Sequence, residues 1–176
     1  MSKILVVIDM QNDFTRGALR NEAAIKVIPY IKKKLEKASE DGDLIIFTRD
    51  THYADYMNTV EGKNLPVIHC VEGTPGHEIV DELKEFVDED YVFDKETFGS
   101  KELCDFFDTY MYDIDEIEFV GVCTDICVIS NVMMTKAVRP NTRIVVDAAG
   151  CAGVTKESHD TALNAMKACH IEVINE

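Results

Sequence analysis

Six short apolar runs, separated by longer segments of mixed polarity, set the pattern of the chain. They are Ile4–Ile8, Leu44–Thr48, Tyr91–Phe93, Ile117–Val122, Ile144–Val146 and Ile171–Ile174. Continuous apolar runs of this length are typical of strands in a parallel sheet that is covered on both faces. The pattern therefore predicts six buried strands.

Most of the intervening segments carry apolar residues at the spacing of an amphipathic helix. The first helix is predicted from Ile25, Ile28, Ile31 and Leu35, with Gly42 as a stop signal. Further helices are predicted over His77–Val87 and from about Lys101, Asp125 and Thr155. This alternation predicts a doubly wound α/β fold, which we expect to form a single domain over residues 1–176.

Residues 49–76 show no clear period. Connections of this length are uncommon in compact domains and are usually functional. We therefore expect part of the functional site in this segment.

Composition and charge narrow the function classes. The chain has 176 residues, of which 46% are apolar, and a formal net charge of −15. Such an acidic protein is a poor partner for nucleic acid or an anionic membrane, and it disfavours a highly anionic substrate. No apolar run reaches the roughly 20 residues of a membrane span, and the first residues fit a strand better than a signal peptide. These features predict a cytoplasmic protein with no nucleic-acid or membrane partner.

The six cysteines occur singly, except that Cys123 and Cys127 lie four residues apart. The chain has no C-x-x-C pair and no repeated ligand spacing, so neither a zinc knuckle nor a disulfide framework is predicted. In a reducing compartment such thiols remain free.

Reactive side chains follow four of the predicted strands. Asp9 follows the first, Asp50 and His52 the second, Lys95 the third, and the sequence GVCTDIC completes the fourth. Ligands of open α/β sheets bind outside the carboxyl ends of the strands, so these residues are expected to share one edge.

Cys127 is the candidate nucleophile. If Thr124 caps the following helix, Cys127 lies in its first turn, where free N–H groups and the helix dipole favour a thiolate. Lys95 could add a positive charge, and Asp9 could accept the thiol proton or hold Lys95. The N–H groups near Cys123 and Cys127 could receive an oxyanion.

Plainer interpretations remain open at this point. A random cysteine is more often a buried, inert thiol, Asp9 could be an end-of-strand cap, and an isolated lysine such as Lys95 is usually solvated. Cys123 is interpreted as a structural thiol. A disulfide between the two cysteines would need an oxidising setting that nothing in the sequence supports.

A metal site is the second candidate. Asp50 and His52 lie two residues apart, so both side chains can point the same way from an extended chain, and His69 could fold back onto them. Two imidazoles and a carboxylate suit zinc, iron or manganese, although D-x-H alone is a weak signal. The remaining histidines are interpreted as ordinary surface or helix residues: His77, His159 and His170.

The stretches VVIDMQNDF, FTRDTH, HCVEGTPG, DKETFGS and GVCTDICV resemble, in order, the motifs of the isochorismatase-like cysteine hydrolases and, within them, the nicotinamidases. The resemblance covers nearly the whole chain. It implies a six-stranded parallel sheet with helices on both faces. It also implies that Asp9, Lys95 and Cys127 form a catalytic triad.

The resemblance carries further site residues. It implies a cis peptide bond between Val122 and Cys123, and an oxyanion hole made by the N–H groups of Cys123 and Cys127. It implies that Phe14 lines the pocket. The metal ligands, which in nicotinamidases usually hold zinc or iron and fix the pyridine nitrogen of the substrate, would be Asp50, His52 and His69.

Two departures from the nicotinamidase pattern stand out. The second histidine often found after D-x-H is absent from DTHYADYMN, and Leu65-Pro66 replaces the common Trp-Pro in a chain without tryptophan. These departures concern the substrate more than the chemistry.

The sequence as a whole predicts a cysteine-dependent amidohydrolase that converts nicotinamide to nicotinate and ammonia. The alternatives are hydrolysis of another small amide, ureide or carbamoyl compound, a binding module of the same fold without turnover, and a thiol redox protein. The expected partner is a small neutral amide, and by analogy with the family the protein is expected to form a homo-oligomer.

Overall fold

The structure is a computed structural model that describes residues 2–110 and 114–176. The strands are β1 (Lys3–Ile8), β2 (Leu44–Asp50), β3 (Val92–Lys95), β4 (Glu116–Val122), β5 (Arg143–Ala152) and β6 (Glu172–Ile174). They pair in parallel in the order β3-β2-β1-β4-β5-β6. The predicted doubly wound α/β fold is confirmed, and β5 is longer than its apolar run indicated.

Within the described residues, six α-helices connect or flank these strands: α1 (Asn12–Thr15), α2 (Glu22–Asp41), α3 (Val60–Asn64), α4 (Lys101–Tyr110), α5 (Ile129–Val138) and α6 (Lys156–Ala168). Helix α2 ends at Gly42, which has a φ of 76°, and Thr155 caps α6 with its side chain. Both ends agree with the sequence signals. Across the described residues, no helix combines the length and the apolar character that crossing a membrane requires.

Successive residues of β1 face opposite sides of the sheet and enter two different hydrophobic clusters. Ile4, Val6 and Ile8 pack in the cluster that includes residues of α4, α5 and α6. Leu5 and Val7 pack in the cluster that includes the apolar stripe of α2. Helices therefore cover both faces, which is why the strands read as continuous apolar runs.

The strand order reverses next to β1, because β2 and β3 lie on one side of it and β4, β5 and β6 lie on the other. Such a reversal opens a crevice at the carboxyl ends of the two diverging strands. β1 and β4 approach closely there: a Cβ on Gly121, whose φ is 119°, would lie 2.1 Å from the carbonyl oxygen of Ile8. The crevice is therefore bordered by the residues that follow β1 and β4.

The helix predicted over His77–Val87 is wrong. The backbone of this segment pairs instead with the loop after β1, through Asn12 N–H to Glu78 O at 2.9 Å and Val80 N–H to Met10 O at 2.9 Å. These bonds leave only a 3₁₀ turn over Asp81–Phe86. A tertiary pairing has overridden the local helical pattern.

The sequence analysis interpreted His77 as an ordinary surface or helix residue, and this interpretation is wrong. His77 is buried, and its Nε2 lies 2.8 Å from the hydroxyl of Thr51. Through this contact with Thr51, the His77 ring supports the segment from Asp50 to His52.

Candidate active site

Three predicted residues meet at the carboxyl edge of the sheet. The ammonium of Lys95 lies 2.7 Å from Asp9 Oδ2 and 3.5 Å from Cys127 Sγ. Asp9 Oδ1 accepts a 2.6 Å hydrogen bond from the hydroxyl of Thr48, which fixes the carboxylate. Asp9, Lys95 and Cys127 are all buried, so the group is shielded from bulk water.

The bond between Val122 and Cys123 is cis, as the resemblance implied. The turn that carries Cys127 differs from the predicted helix: the chain forms a π-helical turn over Thr124–Val128 before α5 begins. The sequence analysis considered Thr124 as the helix cap, but its side chain does not cap the helix. Its hydroxyl lies 2.8 Å from Nδ1 of His159 instead.

The charges in this group depend on burial and on close partners. Burial alone would lower the pKa of Lys95, but Asp9, Cys127 and Asp50 raise it well above its usual value. Burial raises the pKa of Asp9, Lys95 opposes that shift, and Asp50 adds to it. Lys95 is therefore a firmly held ammonium facing two carboxyl groups.

Cys127 is not the ready thiolate that its position after the strand suggested. Burial raises the pKa of its thiol well above the usual value, and Lys95 offsets only part of that rise. The nearby charges of Asp9 and Asp50 raise this pKa further. The resting side chain is thus a thiol, with Lys95 between it and the carboxyl group of Asp9.

The second cluster comes from the long segment after β2. Metal-binding atoms of Asp50, His52, Glu61 and His69 lie within 4.8 Å of one another. The two histidine Nε2 atoms lie 3.0 Å and 3.2 Å from Asp50 Oδ2. Asp50 Oδ1 is in turn 3.3 Å from Lys95 Nζ, so the two clusters share one carboxylate.

Glu61 was missed by the sequence analysis. Its Oε1 lies 3.5 Å from His52 Nε2 and 3.8 Å from His69 Nε2. It sits in the first turn of α3, which Thr59 caps through a bond from the N–H of Gly62. A glutamate in a short helix of an aperiodic segment carries no sequence signal that distinguishes it from its acidic neighbours.

Tyr56 was missed as well. Its buried ring packs 4.6 Å from the His52 ring and 5.2 Å from the His69 ring, measured between centroids. Its hydroxyl donates to the carbonyl of Leu65 at 2.8 Å. The tyrosine thus packs against both imidazoles and links the turn before α3 to the residue that follows it.

The second cluster fits a divalent cation. Imidazole nitrogens and carboxylate oxygens are the donors that zinc and related ions take. Burial would lower the pKa of His52, but Asp50 and Glu61 raise it to about 9. The cluster therefore favours positive charge, which a divalent ion would supply.

A cavity of about 430 Å³ opens onto both clusters. Cys127 and Cys123 line it at one side, and Asp50, Glu61 and His69 line it at another. Apolar residues supply much of the remaining wall, including Phe14, Leu19, Leu65, Phe98, Ile126 and Val154. The Phe14 ring centroid is 6.0 Å from that of His69, so an aromatic wall borders the metal-binding atoms.

The backbone at the thiol begins the helical segment with two hydrogen bonds to one carbonyl. The carbonyl of Cys123 accepts from the N–H groups of Ile126 and Val128, each at 3.1 Å. Cys127 thus lies near the amino end of the helical segment, which is the positive end of its dipole.

Comparison with known proteins agrees with this geometry. Residues 3–176 match the family model described as the isochorismatase domain. The chain is 30% identical to a nicotinamidase of Schizosaccharomyces pombe, over 98% of this chain and 92% of that protein. It is 31% identical to an Arabidopsis thaliana protein named "probable inactive nicotinamidase", over 93% of this chain and 87% of that one.

A solved structure gives the same result for the fold. The pyrazinamidase of Pyrococcus horikoshii in complex with zinc superposes with a TM-score of 0.82 at 28% identity, over 100% of each chain. Since the family model covers nearly the whole sequence, the chain belongs to the isochorismatase family.

Proposed function

We propose that this protein is a cysteine-dependent amidohydrolase whose substrate is nicotinamide and whose products are nicotinate and ammonia. The observation that carries the proposal is the contact of the Lys95 ammonium with both Asp9 and Cys127, beside a cavity that also exposes a metal-binding cluster. The nicotinamidase and pyrazinamidase relatives support the same substrate class.

In the proposed reaction, Asp9 accepts the proton of the Cys127 thiol while Lys95 stabilises the sulfur anion. The sulfur attacks the amide carbon, and the oxyanion that forms is held by the N–H groups of Cys123 and Cys127. Asp9 then gives its proton to the departing ammonia, which leaves a thioester on Cys127. Water hydrolyses the thioester as Asp9 takes its proton, and the thiol is regenerated with release of the acid.

Asp50, His52, Glu61 and His69 would hold a divalent ion, and we propose zinc, with iron or manganese as the alternatives. The ion supplies a Lewis acid that can bind the ring nitrogen of a pyridine carboxamide. Phe14 would pack against the same ring. This arrangement would direct the carboxamide group towards Cys127.

We also propose that residues 1–176 act as one catalytic domain and that the protein works in the cytoplasm as a homo-oligomer. The family model spans residues 3–176, and the cysteines of the described chain are free thiols, as expected in a reducing compartment. Light scattering on the purified protein measures the assembly state. A monomer at all concentrations would contradict the oligomer.

One experiment tests the function. The purified protein is analysed for bound metals and incubated with nicotinamide, and released ammonia is measured beside a panel of small amides, ureides and carbamoyl compounds. We expect ammonia from nicotinamide and about one divalent ion per chain. If ammonia is released only from another compound of the panel, the proposed mechanism is kept and that compound replaces nicotinamide as the substrate. No release from any compound by metal-loaded protein would refute the proposed activity.

A further inference from the structure

We propose that Gln11 and Asp13, in the loop after β1, are positioning residues that set the placement of Asp50 and His69 in the metal-binding cluster. The inference rests on the proposed function for the presence of the ion. Both side chains bind backbone groups, Gln11 those of the ligand Asp50 and Asp13 that of Cys70, the residue after His69.

Gln11 binds the backbone of Asp50 twice. Its Oε1 accepts from Asp50 N–H at 2.8 Å, and its Nε2 donates to Asp50 O at 2.8 Å. Nε2 also donates to the carbonyl of His77 at 2.8 Å. The side chain is fully buried, so these bonds do not compete with water. Gln11 therefore fixes both backbone groups of Asp50 and, with them, the direction of its carboxylate.

Asp13 acts on the other side of the cluster. Its Oδ2 accepts a 2.7 Å hydrogen bond from the N–H of Cys70, the residue after His69. Cys70 has a φ of 45°, a left-handed conformation that is unfavourable for a non-glycine residue. The carboxylate helps to hold this turn, and the turn determines where the His69 ring lies.

The chain makes room for the Asp13 carboxylate at two glycines. A Cβ on Gly17 would lie 2.0 Å from Asp13 Oδ1, and a Cβ on Gly76 would lie 2.2 Å from Oδ2. Oδ1 also accepts from the N–H of Ala18 at 3.1 Å. Three separate stretches of backbone thus close around one carboxylate, which fixes it more firmly than a surface aspartate.

These two contacts attach the end of β2 and the turn after His69 to the same loop, the one that follows β1. Gln11 fixes Asp50 at the end of β2, and Asp13 fixes the turn after His69. Since the two residues are separated by a single position, the loop after β1 sets the spacing between these ligands. Residues that orient metal ligands in this indirect way typically change metal affinity about 10- to 100-fold when they are substituted.

The test measures zinc affinity directly, by competition with a chromophoric chelator, for the unchanged protein, Asp13→Asn and Gln11→Glu. Each variant has a matched control. Asp88→Asn also alters an aspartate that accepts a backbone N–H. Asn131→Asp alters a buried amide that accepts one N–H and donates to two carbonyls, as Gln11 does, but at the Cys127 turn. Thermal unfolding without metal verifies that each variant is folded.

We expect D13N and Q11E to bind zinc at least about tenfold more weakly than the unchanged protein, and both controls to bind it within about twofold. Added zinc should restore amidase activity to D13N, which a general folding defect would not allow. A folded D13N that binds zinc as tightly as the unchanged protein overturns the proposal, whatever Q11E does. If the unchanged protein itself binds no divalent ion, the proposed metal site is wrong. This result differs from a tight-binding D13N, which overturns only the positioning role.

Discussion

Lys95 Nζ lies 3.5 Å from Cys127 Sγ, and both side chains are buried at the carboxyl edge of the sheet. An ammonium in this position can stabilise a thiolate once the thiol proton has left. Since burial favours the neutral thiol, the ion pair forms only when a base accepts the proton. In the proposed reaction that base is Asp9, whose carboxyl group contacts Lys95 at 2.7 Å.

Cys127→Ala removes the proposed nucleophile. We expect amidase activity to fall by at least about 10³-fold, because no thioester can form, while the fold and the bound metal are retained. Ammonia release and metal content measure the two effects. Cys169→Ala is the control, since Cys169 is an exposed thiol and its loss should leave activity unchanged. A Cys127→Ala protein with full activity would remove the basis of the mechanism.

Lys95→Met removes the ammonium between two carboxyl groups. We expect the free energy of unfolding to fall by roughly 3 kcal/mol, since breaking a buried ion pair leaves uncompensated charge. Activity should fall by at least about 100-fold, because the sulfur anion loses its counter-charge. Urea unfolding measures the loss of stability, and ammonia release measures the loss of activity.

Lys34→Met is the control for Lys95→Met. Lys34 Nζ lies 2.6 Å from Glu118 Oε1 and 2.6 Å from Asp147 Oδ2, away from the cavity. This variant should lose stability and keep its activity per folded molecule. Equal activity losses in the two variants would mean that Lys95 acts only through stability.

Glu61→Gln tests the ligand that the sequence did not reveal. We expect weaker zinc binding, by about tenfold or more, because an amide oxygen is a poorer donor to zinc than a carboxylate. The control is Glu72→Gln, an exposed residue of the same long segment. Chelator competition measures both variants. Zinc affinities equal to that of the unchanged protein in both would exclude Glu61 as a ligand.

His77 predicts a pH dependence of stability. Burial, with the nearby Arg49, lowers its pKa below the ordinary value of 6.5; Asp94 Oδ1, at 3.9 Å, faces the ring and opposes this shift. Well above 6.5 the ring is neutral in both states and contributes no pH dependence. Below 6.5 the unfolded chain takes up a proton that the folded chain does not, so stability falls by at most about 1.4 kcal/mol per pH unit.

His77→Gln removes this titration and can keep a hydrogen bond to Thr51. Its free energy of unfolding should fall less than that of the unchanged protein as the pH is lowered from about 7 to 5.5. His170→Gln, at an exposed position, should behave as the unchanged protein does. Identical pH profiles for His77→Gln and the unchanged protein would contradict a lowered pKa.

The strands and the residues that end them could be predicted from the sequence, because burial on both faces leaves a simple apolar pattern. Asp9, Asp50, Lys95 and Cys127 stood out since each follows such a run, and parallel strands bring their carboxyl ends to one edge. The structure does bring these four side chains together. The roles assigned to them remain proposals.

The rest of the site depends on tertiary contacts that no local pattern encodes. Glu61 and Tyr56 lie in an aperiodic segment whose course is set by packing against His52 and His69. The helix expected from His77 did not form because its backbone pairs with the loop after β1. Burial likewise outweighed Lys95 in setting the state of the Cys127 thiol.

The most direct test is to trap the covalent intermediate. Metal-loaded protein is mixed with nicotinamide and quenched in acid within one turnover, and its peptides are analysed by mass spectrometry. We expect a nicotinoyl group on Cys127, reduced or absent in Asp9→Asn, which cannot accept the thiol proton. Rapid ammonia release in the unchanged protein with no acyl group on Cys127, together with full turnover by Cys127→Ala, would contradict the account.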